Sequence, residues 1–181
     1  MSGVPSSTTT SSSTHHPLPT PRRIVTGHTS DGQSTIQHDT RLETTTPFSD
    51  GSSSSSILTS LWYTPSSPAD VSSAQDNALL PPRMPLVSGS AFTAYDLPPR
   101  SEGVFHRSIT LDYVIVISGR IVLCLEGGER VSLHEGDVVV QQATMHAWSN
   151  ESGEWTRLYG VMVPARAPVV EGRVLEDVWP F

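Results

Sequence analysis

The sequence predicts an all-β domain, a sandwich or closed barrel of short strands, and three observations support this prediction. First, the apolar residues follow no sustained helical period but fall in short runs rich in β-branched and aromatic residues. Second, glycine-containing turn signals separate these runs. Third, several runs are apolar at successive positions, which is typical of strands covered on both faces. Many short strands at regular spacing build sandwiches and barrels.

The predicted elements begin with a hairpin near the N-terminus. Two β-prone runs, residues 22–26 and 34–37, flank the turn signal Ser30-Asp31-Gly32. An alternating run follows at residues 57–63, and an irregular region follows at residues 64–85. The remaining predicted strands share a higher density of apolar residues and cover residues 91–95, 112–117, 121–125, 130–133, 137–141, 146–149 and 155–163.

Composition divides the chain into three parts. Residues 1–20 are almost entirely Ser, Thr, Pro and Gly. We expect a disordered tail there, because such a segment buries too little apolar area to offset its ordering entropy. Residues 21–56 hold the hairpin and a Ser-rich loop, and residues 57–181 hold the barrel with a C-terminal extension. With 181 residues in all, the chain is long enough for one domain with its own core.

Charge and hydropathy exclude several function classes. The net charge is −7 and the basic residues are few and scattered, which argues against nucleic acid and anionic membrane surfaces as partners. No apolar run approaches the roughly 20 residues of a membrane-spanning helix. We expect no secretory signal, since no charged start precedes an apolar stretch. The single cysteine, Cys124, lies in an apolar run and is expected to be buried. A cytoplasmic location fits these features.

The chemistry is concentrated between residues 102 and 150. In an extended strand, side chains at even spacing share a face, so His106, Ser108, Thr110 and Asp112 are expected to point together. An all-apolar strand follows them, which makes a solvent-exposed face unfavourable. We therefore interpret these residues as a polar cluster inside the barrel. Further along, a turn, an apolar strand and a short loop deliver His146 into the next strand.

These two stretches resemble the two conserved motifs of the cupin superfamily. The second stretch reads GDVVVQQATMHAWSN, with Gly136-Asp137 at its start and Asn150 four residues after His146. The pairs His106-Arg107 and Asp112-Tyr113, like the opening RRIVTGHTSDG, are similar to a subgroup of small single-barrel cupins in fungi and bacteria. The resemblance implies an antiparallel jelly-roll barrel with an extra N-terminal hairpin. Fungal members are described as cupin-type oxidoreductases of secondary-metabolite pathways, which implies a small organic, polyketide-like substrate.

The resemblance also implies a metal site, from which this sequence departs. His106 matches a metal-ligand histidine, and Asp112 stands in place of the usual glutamate ligand, while Ser108 replaces the second histidine. His106, Asp112 and His146 would form a two-histidine, one-carboxylate set, which suits Fe(II) and could also hold Mn or Zn. Without a metal, His106 and Asp112 would satisfy each other as a buried pair.

Two classes of function therefore stay open at this point. The first is an enzyme that acts on a small molecule inside the barrel, with His106, Asp112 and His146 as catalytic residues. Its chemistry is either metal-dependent oxidation or metal-free dehydration, isomerisation or decarboxylation. The second is a binding protein that holds a metabolite without turning it over. Because several strands are apolar on both faces, we also expect a homodimer.

Overall fold

The computed structural model describes residues 18–42, 47–48, 56–80 and 85–179. Almost all of its regular elements are strands, as predicted. They are β1 (Arg22–His28), β2 (Ser34–Arg41), β3 (Pro47–Phe48), β4 (Ser56–Thr64), β5 (Ser90–Leu97), β6 (Thr110–Ser118), β7 (Arg120–Leu125), β8 (Arg130–His134), β9 (Val138–Gln142), β10 (His146–Ser149), β11 (Thr156–Pro164), β12 (Val169–Val170) and β13 (Arg173–Val174). One short 3₁₀ helix, Asn77–Leu79, lies in the region predicted to be irregular.

Two antiparallel sheets face each other to form the barrel. The larger has the order β3-β4-β5-β11-β6-β9 and the smaller has the order β10-β7-β8. One apolar core joins them, with Leu97, Val116 and Leu158 from the larger sheet packed against residues of the smaller sheet. Each of these three side chains is at most 2 % exposed, and full burial of a Leu or Val stabilises a fold by about 1.5–3 kcal/mol. The predicted jelly-roll barrel is therefore confirmed.

Turn residues set the connections between these strands. Gly119 lies between β6 and β7 at φ +79°, and a Cβ there would come within 2.7 Å of the Thr156 hydroxyl, so glycine is required on both counts. At the turn before β9, the Asp137 carboxylate accepts a hydrogen bond of 2.8 Å from the His134 backbone N–H. Asp137, directly after Gly136, is therefore a turn residue.

The N-terminal hairpin packs on the face of the larger sheet that points away from the core. The Arg23 guanidinium lies over the Trp62 ring, 5.6 Å from its centroid, and forms an ion pair with Asp76. Just before the hairpin, the Pro19 carbonyl accepts a hydrogen bond of 2.7 Å from Arg157 of β11. Pro19, inside the predicted tail, thus contacts the larger sheet. The predicted disordered tail, residues 1–20, otherwise lies outside the described residues, which begin at residue 18.

The outer side of β6 and β9 is apolar and exposed. Tyr113 and Ile115 pair with Val140 and Val138 across the two strands, and all four side chains are between 42 and 67 % exposed. In the six-stranded sheet, β9 is the terminal strand. The predicted homodimer therefore stays a prediction, with this face as its basis.

Two further expectations concern burial and membranes. Cys124 is buried, as its place in an apolar run predicted. Within the described ranges, the protein contains no helix with the length and apolar character required to cross a lipid bilayer.

Candidate functional site

A cavity of about 430 Å³ lies inside the barrel, in the size range of small-molecule pockets. Strand alternation builds its wall. On β5 the residues at positions 91, 93 and 95 line it, and on β11 those at 158, 160 and 162 do so. The register pairs Leu158 with Tyr95, Gly160 with Thr93 and Met162 with Ala91, so the two strands present one continuous surface. Most of the lining side chains are apolar or aromatic, among them Leu58, Tyr95, Val114, Trp148, Leu158 and Met162.

The polar residues predicted to point into the barrel largely do so. His106, Ser108, Asp112 and His146 all line this cavity. Thr110 is 2 % exposed and does not line the cavity, but its hydroxyl lies 3.0 Å from that of Ser108. The even spacing therefore places three of the four predicted residues at the cavity, although β6 itself begins only at Thr110. The structure brings His106, Asp112 and His146 to one cavity.

The two histidines are joined through their backbones. The His106 N–H donates to the His146 carbonyl and the His146 N–H donates to the His106 carbonyl, both at 3.0 Å. This pairing places the two imidazole rings side by side, with their centroids 4.4 Å apart.

Hydrogen bonds also define the tautomer of each ring. Nδ1 of His106 lies 3.0 Å from the Val104 carbonyl, and Nδ1 of His146 lies 3.0 Å from the Thr144 carbonyl. Because a carbonyl oxygen only accepts, Nδ1 must carry the proton in both rings. In the neutral form of each ring, Nε2 therefore holds a free lone pair.

Burial changes the proton affinities of two of these groups. Removal from water raises the pKa of Asp112 to about 6, against a smaller opposite effect of the Thr110 hydroxyl. Burial likewise lowers the pKa of His146 to about 4, and the neighbouring His106 lowers it further. At neutral pH His146 is therefore an uncharged imidazole, whereas Asp112 keeps its proton in a minority of molecules.

The same groups allow a test of the expected metal site. Asp112 Oδ1 is buried and has no hydrogen-bond partner in the part of the chain that the structure describes. The two Nε2 atoms would suit a metal. A histidine that binds a metal through one ring nitrogen commonly donates the N–H of the other to a carboxylate, a water or a backbone carbonyl, as Nδ1 does here. Even so, no group of three or more His, Cys, Asp or Glu side chains among the described residues is arranged to hold a metal ion. As placed here, the residues do not fit a three-ligand centre.

Asn150, the last residue of the second motif, has a structural role. It is fully buried, and its amide donates to the carbonyls of Leu97 and Glu154 at 3.2 and 2.8 Å. Its side-chain oxygen accepts hydrogen bonds from the Ser152 backbone N–H and hydroxyl at 3.0 and 2.7 Å. All of its polar capacity is thereby used to secure the chain directly after β10, the strand that carries His146.

Some residues lie elsewhere than the sequence indicated. Trp179 lines the cavity and stacks on His106, with centroids 5.8 Å apart and 22° between the planes. No pattern had singled it out, although an aromatic residue beyond the last predicted strand is a signal in itself. Trp148 belongs to the core and also lines the cavity. Arg107 does not line the cavity; it is only 9 % exposed and lies 3.4 Å from Glu126.

Comparisons with known proteins agree with this architecture. The family described as "Cupin domain" matches residues 94–163. A phomopsin biosynthesis cluster protein, C', from Diaporthe leptostromiformis is 32 % identical over 168 residues, which cover 89 % of this chain and 87 % of that protein. A cupin-domain-containing oxidoreductase from Neurospora crassa is 32 % identical over 146 residues, covering 77 % and 73 % of the two chains.

Among solved structures, the polyketide cyclase RemF from Streptomyces resistomycificus aligns with a TM-score of 0.52. It is 14 % identical in sequence, and the alignment covers 80 % of this chain and 83 % of that one. At this level of identity the likeness concerns the fold alone.

Proposed function

Because the chain belongs to the cupin family, and its relatives include fungal biosynthesis cluster proteins, we propose that it is a small-molecule enzyme of secondary metabolism. We propose further that it transfers protons at a carbon next to a carbonyl group. The observation that carries this proposal is the histidine pair. Two imidazoles with Nδ1 bound to backbone carbonyls share an apolar cavity with a buried carboxyl group.

The cavity supports an uncharged and mainly apolar substrate. It contains no Lys or Arg among its lining residues, all of which belong to the described ranges. An anionic substrate would therefore lose its hydration without gaining a cationic partner, at a cost of several kcal/mol. A neutral polyketide-like carbonyl compound would meet mostly apolar walls and a few polar groups.

The proposed reaction divides into a base step and an acid step. Nε2 of His106 or His146, in the neutral ring, accepts the proton from the carbon beside the carbonyl. Asp112, in its protonated form, donates a proton to the oxygen that gains charge. In a dehydration, the C–H bond and the C–O bond break, a C=C bond forms, and the hydroxyl group leaves as water with the proton from Asp112. In an isomerisation, the proton returns to a different carbon.

A metal-dependent oxidoreductase is the second candidate. It is favoured by the orientation of the two histidines and by the unpartnered Asp112 oxygen, together with the description of the Neurospora relative as an oxidoreductase. Iron, manganese or zinc would be held by His106, His146 and Asp112 only after these side chains rearranged, since as placed they form no three-ligand centre. Such an ion would supply O₂ activation or Lewis acidity.

Hydrogen–deuterium exchange separates these candidates without knowledge of the natural substrate. The probe is 2-tetralone, an uncharged bicyclic ketone with an exchangeable C–H bond beside its carbonyl. We expect the protein in D₂O to accelerate exchange at that carbon, measured by proton NMR. His146→Ala should reduce the acceleration by about 100-fold or more, the usual contribution of a positioned acid or base. Absence of acceleration would contradict the proposed function and favour a protein that binds a metabolite without turnover.

Treatment with EDTA tests the role of a metal in the same assay. If the metal-free mechanism is right, the exchange rate stays unchanged after chelation. A rate that disappears with EDTA and returns with iron, manganese or zinc would support the second candidate instead. In that case Ser108→His should tighten metal binding, because it adds a ligand on the same strand face. Metal content after dialysis measures this effect.

A further inference from the structure

A short segment after β13 lies along the residues that carry the site. The Arg107 N–H donates to the Val178 carbonyl at 2.9 Å, and the Val178 N–H donates to the Arg107 carbonyl at 2.8 Å. One residue earlier in the segment, the Asp177 carboxylate accepts a hydrogen bond of 2.7 Å from the Ile109 N–H. Three hydrogen bonds thus attach residues 177–178 to the stretch between His106 and Thr110. The next residue of the segment is Trp179.

This attachment brings the Trp179 ring to the cavity. The indole stacks on His106 at 22°, with 5.8 Å between the ring centroids, and it forms part of the cavity wall. His106 in turn lies 4.4 Å from the His146 ring, so the three rings follow one another. The indole therefore belongs to the part of the cavity wall that holds the histidine pair.

We propose that Trp179 is a specificity-determining residue, and that it selects flat, conjugated and uncharged ring systems over saturated ones of the same size. This inference rests on the proposed function and names its substrate class. A planar π-system gains from stacking on an indole face, whereas a puckered saturated ring of equal volume makes fewer close contacts with it. Tyr95 and Trp148 also line the cavity, but Trp179 is the aromatic residue stacked on His106 of the histidine pair, and most other walls are aliphatic.

The test measures binding rather than turnover. Isothermal titration calorimetry compares 2-naphthol with decahydro-2-naphthol, its saturated counterpart, on the full-length protein. We expect the wild type to bind 2-naphthol about three- to tenfold more tightly, the range that one aromatic stacking contact gives. Trp179→Leu should reduce this preference, and Trp179→Phe should keep most of it. Glu176→Gln, an exposed neighbour in the same segment, is the control and should behave as the wild type.

A second variant covers a failure of Trp179→Leu to fold, which circular dichroism would reveal. Asp177→Ala removes the carboxylate that holds the segment and leaves the indole in the chain. It should weaken 2-naphthol binding and reduce the preference for it. An unchanged preference in Trp179→Leu or in Asp177→Ala, or no preference in the wild type, would overturn the inference. Because neither probe has to react, an intact preference without any exchange of 2-tetralone would contradict only the proposed function.

Discussion

Replacement of Asp112 by asparagine should stabilise the protein at neutral and alkaline pH. Burial raises the pKa of this carboxyl from 3.8 to about 6, so the folded state binds the proton more strongly than the unfolded chain does. Stability from this group is therefore present below about pH 4, declines as the pH rises, and is lost above about pH 6. The ionised Asp112 carboxylate therefore lowers the free energy of unfolding by about 3 kcal/mol at high pH. Asparagine cannot ionise and avoids this loss, although a buried amide N–H without an acceptor would itself cost about 1 kcal/mol.

We therefore expect Asp112→Asn to exceed the wild type by about 2 kcal/mol at pH 8, and to match or fall below it near pH 4.5. For a chain of this length, that gain raises the melting temperature by about 4–8 °C. The lowered pKa of His146 has the opposite effect on stability over the same pH range. Since both proteins carry His146, its contribution cancels in their difference.

The assay is urea unfolding of EDTA-treated protein, followed by circular dichroism between pH 4.5 and 8. Glu135→Gln, which removes an exposed carboxyl group outside the cavity, provides the baseline. A stability difference between Asp112→Asn and the wild type that is the same at pH 5 and pH 8 would refute the reasoning. It would mean that the Asp112 carboxylate ionises in the cavity without penalty. The variant should also lose the exchange of 2-tetralone, because an amide cannot donate the proton in the proposed acid step.

Three further predictions concern stability and assembly. Asn150→Ala should lower the free energy of unfolding by about 3 kcal/mol or more, measured by urea titration, because it leaves buried backbone groups without partners; a loss below 1 kcal/mol would contradict the role assigned to it. Deletion of residues 1–17 should leave the melting temperature unchanged. Deletion of residues 1–20 should lower it, because it also removes the Pro19 carbonyl that accepts a hydrogen bond from the buried Arg157. Equal melting temperatures for the two deletions would contradict this role of Pro19. If the exposed apolar side of β6 and β9 contacts a second copy, light scattering should give a dimer for the wild type. The variant with both Val138→Lys and Val140→Lys should then be a monomer. A monomeric wild type would contradict the predicted homodimer.

Features that depend on local pattern could be predicted from the sequence. The strands were found because alternation and turn chemistry are properties of neighbouring residues. Ser108 and Asp112 share the cavity because a strand repeats its direction every second residue. Arg107, one position off this face, does not line the cavity, but the rule does not predict its burial beside Glu126.

Features that depend on distant pairings could not be predicted. Trp179 reaches His106 only because Val178 pairs with Arg107, more than seventy positions earlier in the sequence. The hydrophobic periodicity of a sequence does not indicate which distant segment packs against a barrel strand. The expected metal site of His106, Asp112 and His146 could not be judged from the sequence for a similar reason. The spacing of ligands along the chain does not determine whether three side chains converge. The fold could thus be predicted from the sequence, whereas cavity-lining residues from distant segments of the chain could not.

The backbone pairing of His106 with His146 has a consequence for how such a protein diversifies. The distance between the two rings is maintained by main-chain hydrogen bonds, which do not depend on the side chains around them. Substitutions on β5 and β11 change the volume and shape of the cavity while the pair stays in place. Under the proposed function, the reactive groups and the walls that select a substrate therefore lie in separate parts of the barrel. Wall residues such as those facing Gly160 can change while the histidine pair keeps its arrangement.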